Sequence, residues 1–124
     1  MGITREPGAP VRPTAGWRER AVEYPERYPP DLLGAVDAAL DAYAADVAAL
    51  GGAPRDIEVM ARIEGVVTAL NDLDERYGFI ETIEREELCD HIDAVLTAHG
   101  VDLDALAARA GIGRWELTDA WRDW

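Results

Sequence analysis

From residue 30 onward, apolar residues recur at spacings of three and four, the period of a helix with one buried face. Leu32, Leu33, Val36, Leu40, Tyr43, Val47 and Leu50 form the first stripe. Pro29-Pro30-Asp31 opens it with proline in the first turn and an acid at the positive end of the dipole. Gly51-Gly52 ends it. Met60, Ile63, Val66, Val67, Leu70 and Leu73 form a second stripe after Pro54 and Asp56, with Gly78 as its C-cap. A third helix starts near Thr82, whose hydroxyl can cap orphan amides. It carries Ile83, Leu88, Ile92, Val95 and Leu96 and stops at Gly100. Asp102 caps a short fourth helix through Leu103, Leu106 and Ala110. Beyond Gly111-Ile112-Gly113, a last helix over 114–123 places Leu117, Trp121 and Trp124 at i, i+4 and i+7. No stretch alternates long enough for a strand, and no segment repeats. The pattern predicts an all-α fold, a single bundle-like domain of about five helices.

The first thirty residues are patterned differently. They hold six of the seven prolines, which remove backbone donors and resist helix formation. This predicts an extended Pro-rich arm over 1–29 and an acidic helical domain over 30–124. The arm also carries Trp17, Val22, Tyr24 and Tyr28. A solvated tether gains nothing from such side chains, so the arm is expected to pack on the body.

A chain of 124 residues fits one domain and buries roughly two-thirds of its unfolded surface. Its 48% apolar content is that of a globular protein. No run of about 18 apolar residues suggests a membrane span, and Met1–Pro7 lacks the apolar core of a signal peptide. A cytoplasmic protein is expected. Serine, lysine and glutamine are absent. That removes a Ser-His-Asp triad, a Schiff-base lysine and a phosphate-loop lysine. Arginine as the sole strong cation fits a high-GC genome. The net charge is −13, and residues 31–124 hold seven arginines against 21 acids. Such a surface repels DNA.

The acids concentrate on the third helix, at Glu81, Glu84, Glu86, Glu87, Asp90 and Asp93, around His91. Glu87 and His91 are one turn apart, but the Glu-x-x-His pattern of a di-iron bundle is missing. Two isolated histidines make a poor zinc site. No metal or cofactor is expected, and no catalytic residue is assigned. Cys89 is the lone cysteine, which excludes an internal disulfide; it reads as a small core residue. Ala107, Gly111 and Leu117 match the spacing of a DNA-binding helix-turn-helix, but acids outnumber the arginines on the would-be reading helix. A packing corner is the preferred reading. Trp115, Trp121 and Trp124 are candidates for interface anchors or for clamping the chain end.

One resemblance is carried by three stretches. They are Val67–Asp74, the segment Ile80-Glu-Thr-Ile-Glu-Arg-Glu-Glu-Leu-Cys-Asp-His-Ile-Asp93, and the closing Leu117-Thr-Asp-Ala-Trp-Arg-Asp-Trp124. Residues 67–124 thereby resemble small actinobacterial helical proteins that share an IETxxREELC segment and a TxxWRxW tail. That group has no established activity. The resemblance implies that the two segments form a paired unit, with Arg85 bridging to acids of the last helix and Arg122 to Glu86. The functional expectation is a non-enzymatic acidic protein that binds or regulates a basic protein, as toxin-neutralising immunity proteins do. Glu81, Glu84, Glu87, Asp90, Trp115, Trp121 and Trp124 are its candidate contacts. Neither nucleic acid nor membrane is an expected partner, and self-association is left open. The alternatives are a small-molecule binder or enzyme using the acidic third helix, and a helix-turn-helix-derived transcription accessory.

Overall fold

The computed structural model describes residues 10–124, and that part of the chain is all-α. Five helices follow in order: α1 (Pro13–Glu23), α2 (Pro30–Ala48), α3 (Asp56–Tyr77), α4 (Thr82–Ala98) and α5 (Leu103–Ala110). A 3-10 turn spans Arg114–Glu116. Among the described residues there is no strand, and no helix is long and apolar enough to cross a membrane.

Four of the expected helices, α2 to α5, lie where the sequence places them. Leu32, Leu33, Val36, Leu40, Tyr43 and Val47 are buried on α2, and Ile63, Val66, Val67 and Leu70 on α3. These two helices form the hairpin against which the others pack. Leu88, Ile92 and Leu96 bury one side of α4. Tyr43 ties α2 to α4, its hydroxyl donating to the Ile92 carbonyl at 2.7 Å. Ile83, expected in the α4 stripe, is exposed, because it sits in the first turn beyond the packed face. The ends follow local chemistry. Gly78 adopts φ +60° after α3 and Gly111 φ +73° after α5, a region that costs a residue with Cβ roughly 1–2 kcal/mol. Asp102 caps α5 by accepting from the Ala105 amide at 3.0 Å. The N-cap of α4 is Glu81, not Thr82. There the Glu84 carboxylate accepts from the Glu81 amide at 3.2 Å, the reciprocal half of a capping box.

The arm departs from expectation. Its first nine residues, including the whole Met1–Pro7 stretch read for a signal peptide, lie outside the described residues. The remainder is not extended: Pro13–Glu23 is a helix and part of the core. The prolines allow it because of where they stand. Pro13 occupies the first helical turn, where its missing N–H is no loss. The next proline is Pro25, beyond the helix end. Trp17 then lies fully buried, stacked on Tyr28 at 5.7 Å and edge-on to Phe79 at 5.7 Å. Val22 and Tyr24 remain exposed.

The end of the chain departs too. No helix covers 114–123; after the 3-10 turn the chain continues in turns. A ten-residue terminal helix is marginal by itself, and side-chain hydrogen bonds to backbone compete with it. Here Asn71 on α3 supplies them. Its amide donates to the Trp121 carbonyl at 2.7 Å and its oxygen accepts from the Asp123 amide at 3.1 Å. Leu117 is buried, and Trp121 and Trp124 pack half-buried on the core. The expected clamp therefore exists without the expected helix.

Candidate functional site

The acidic helix α4 presents two faces with different uses. Glu84, Glu87 and His91, at i, i+3 and i+7, turn towards the N-terminal segment. Glu87 accepts from the Trp17 indole at 2.9 Å and from Arg20 at 2.8 Å. Glu84 is only 3% exposed. It accepts from the Tyr28 hydroxyl at 2.5 Å and from Arg27 at 3.2 Å. Arg27 also reaches Glu81 at 3.0 Å. Three of the expected partner contacts, Glu81, Glu84 and Glu87, are thus engaged with residues 17–28 of the same chain. The sequence alone does not show these pairs: it leads one to expect an extended arm lying on the body, and an extended arm names no partners for Trp17, Arg20, Arg27 and Tyr28.

These contacts set the charge states. Burial would raise the Glu84 carboxyl; hydrogen bonds from Tyr28 and the backbone, with the Arg27 charge, outweigh it and hold the group below its usual range. Glu87 is engaged by the Trp17 indole and the Arg20 guanidinium on the side turned to the N-terminal segment. Burial pushes His91 below the ordinary imidazole value, and the Arg12 charge adds to this, while the Val11 carbonyl opposes it. Among the described residues, no group of three His, Cys, Asp or Glu side chains is arranged to hold a metal ion.

The opposite side of α4 borders a cavity of about 500 Å³ between α4, α5 and the C-terminal segment. Such a volume is typical of ligand sites. Ile63, Ile92, Leu96, Leu103 and Leu117 give it apolar walls. Cys89 and Thr118 face each other there at 3.7 Å, and burial raises the thiol, keeping it protonated. Glu86, Asp90 and Trp115 also line it. Trp115 is 81% exposed. Its indole rests over Gly113, where an added Cβ would come within 2.6 Å of the ring, so glycine there lets the ring lie on the backbone.

The arginines of this region do not form the expected bridges. Arg114 holds Asp93 at 2.7 Å and Asp104 at 3.2 Å. Arg122 pairs with Asp119 at 2.7 Å, not with Glu86, and lies 5.4 Å from the Trp124 ring centroid. Arg85 lines the cavity and makes no ion pair among the described residues. The packing corner is present without its second helix. Ala107 and Leu117 are buried at a bend, but a 3-10 turn stands where a reading helix would begin.

Of the candidate contacts, Asp90 and Trp115 meet at the cavity, while Trp121 and Trp124 serve the clamp. Asn71, which sequence reasoning did not single out, holds that clamp; being the only asparagine in the chain was its one signal. Asn71→Ala should cost about 1–3 kcal/mol, since it strands a backbone donor and an acceptor. Urea unfolding measures the cost, and amide exchange at 121–123 should rise with it. Unchanged exchange would mean that packing alone fixes the tail.

No protein-family model matches the chain, and neither the curated proteins nor the solved structures contain a match to it.

Proposed function

We propose that this is a non-enzymatic binding protein of the cytoplasm that docks on a basic protein partner. The same proposal places the chain with the actinobacterial proteins that residues 67–124 resemble. The observation that carries the docking reading is Trp115, a large aromatic left exposed at a cavity mouth beside Glu86 and Asp90. Tryptophan is enriched among residues that dominate interface energy, and a ring supported on Gly113 loses little freedom on binding. Charge supports the partner's sign. Among the described residues, eight of eleven arginines are tied to ten carboxylates. The other fourteen acids, Glu86 and Asp90 among them, have no cation at ion-pair distance there. Neutralisation of a cationic toxin is one form this binding would take.

Association with a basic partner captured by pull-down should be electrostatically steered, so its on-rate should fall steeply as salt rises through about 0.15 M. Trp115→Ala should leave the urea transition within about 0.5 kcal/mol of wild type and weaken binding by about 2 kcal/mol or more. A salt-independent on-rate, or full affinity in Trp115→Ala, would sink the reading.

A further inference from the structure

The cavity has ends of unlike chemistry. Its inner walls are aliphatic, from Ile63 on α3 and Ile92 and Leu96 on α4 to Leu103 and Leu117. Its outer part holds the Trp115 ring, Glu86 and Asp90, and both carboxylates are exposed. Neither makes a hydrogen bond or ion pair among the described residues. Arg114 and Arg122 are neutralised by Asp93, Asp104 and Asp119, which leaves Arg85 as the opposing charge. Two unengaged carboxylates thus face one guanidinium, within a segment of large negative charge.

This arrangement discriminates among ligands. A small hydrated ion gains nothing from aliphatic walls. A purely apolar group leaves the carboxylates and the indole face unused. A carboxylate-headed molecule would approach against the field of the whole body. A group with an apolar stem and a cationic head satisfies both ends, because the stem buries aliphatic surface and the head gains from the acids and from the aromatic face. We infer that the cavity receives a basic side chain of the partner, with an apolar neighbouring residue. The stem lies on Leu103 and Leu117, and the head lies between Glu86, Asp90 and Trp115. This rests on the basic-partner reading and names what enters the site.

The test uses octylguanidinium, with octanoate and octanol for comparison, titrated below their micelle concentrations into the full chain. Calorimetry gives affinity, and amide shifts give location. Octylguanidinium should bind one-to-one and saturably, with shifts confined to α4 and residues 113–118, and at least tenfold more tightly than octanoate. The pair Glu86→Gln and Asp90→Asn should cost about tenfold. The distant pair Asp72→Asn and Glu75→Gln, which removes the same net charge from α3, should cost less than twofold. Arg85→Gln should keep or improve affinity.

Octanoate binding as tightly as octylguanidinium, or loss of binding in Arg85→Gln, would overturn the inference in favour of an anion site. Equal losses from the two carboxylate pairs would overturn it in favour of non-specific attraction. Absence of saturable octylguanidinium binding overturns it outright; if partner association is still steered and Trp115-dependent, the docking function stands without this insertion. Octylguanidinium binding as described, with partner association indifferent to salt and to Trp115, would overturn the function while keeping a cation site.

Discussion

Trp17→Ala is expected to lower stability by about 3–5 kcal/mol, the usual cost of emptying a large buried aromatic site. Trp17 is fully buried, stacked on Tyr28 and edge-on to Phe79, and its indole donates to Glu87 across 70 residues of sequence. The loss is therefore threefold: apolar burial, two aromatic contacts worth about 0.5–1.5 kcal/mol each beyond area, and one hydrogen bond to a charged acceptor. Arg20 still holds Glu87 at 2.8 Å, which keeps the carboxylate from being stranded and limits the total. Set against a typical stability of about 5–15 kcal/mol, the variant should melt roughly 10–20 °C lower. Trp17→Phe should recover more than half of the loss, because it refills most of the volume and lacks only the donor. Urea and thermal unfolding of both variants measure this. A wild-type melting curve for Trp17→Ala would mean that α1 is an appendage and not part of the core.

That result bears on how much of the fold is legible in the sequence. The stripes of α2, α3 and α4 are long, and an apolar period sustained over four or more turns leaves little choice of structure or buried face. Gly78, Gly111 and Asp102 mark helix ends because a left-handed residue and a side-chain acceptor are local requirements. Two regions are decided by distant contacts. Proline count reads the arm as extended, yet proline position decides it: Pro13 starts a helix that no proline interrupts before Pro25. The period around Leu117, Trp121 and Trp124 reads as a helix, yet Asn71, some fifty residues earlier, supplies backbone partners in another geometry.

The candidate site divides along the same line. Acids at Glu81, Glu84 and Glu87 read as free to meet a partner because Arg85, the one cation in their own stretch of sequence, does not engage all three. Arg20, Arg27, Trp17 and Tyr28 do so from a segment that pattern alone does not bring there. Asp90 lies beyond that contact, and Trp115 is separated from α4 by the whole of α5. The fold brings both to one cavity, a meeting that no spacing in the sequence encodes.

Glu84→Gln should cost about 2–3 kcal/mol at pH 7, and its cost should shrink as the pH falls. The carboxylate is only 4% exposed and both oxygens are in use. One accepts from the Tyr28 hydroxyl at 2.5 Å and from Arg27 at 3.2 Å, and the other accepts from the Glu81 amide at 3.2 Å. Glutamine keeps one acceptor and puts an NH2 where a donor already points. One buried hydrogen bond is then lost to donor–donor contact, and Arg27 loses a charged partner, losses worth about 1–3 kcal/mol each at buried sites. Burial pushes the Glu84 carboxyl up, but the Tyr28, backbone and Arg27 contacts bring its folded value below the ordinary one. A carboxyl depressed on folding adds stability that is complete above its unfolded pKa, near 4.3, and lost as the pH falls through the folded value. Wild type should therefore lose stability below about pH 4 more steeply than Glu84→Gln, which has no proton to take up there. Asp37, also held low, keeps both proteins acid-sensitive: burial raises it, but hydrogen bonds from Thr14 and Arg18 and the Arg18 and Arg12 charges prevail. Urea midpoints at pH 7, 5, 4 and 3 give the gap between the two proteins. A gap that narrows towards pH 3 locates the stabilisation in the ionised carboxylate. A gap that stays constant would assign it to shape alone and remove Glu84 as the charged link between α4 and the N-terminal segment.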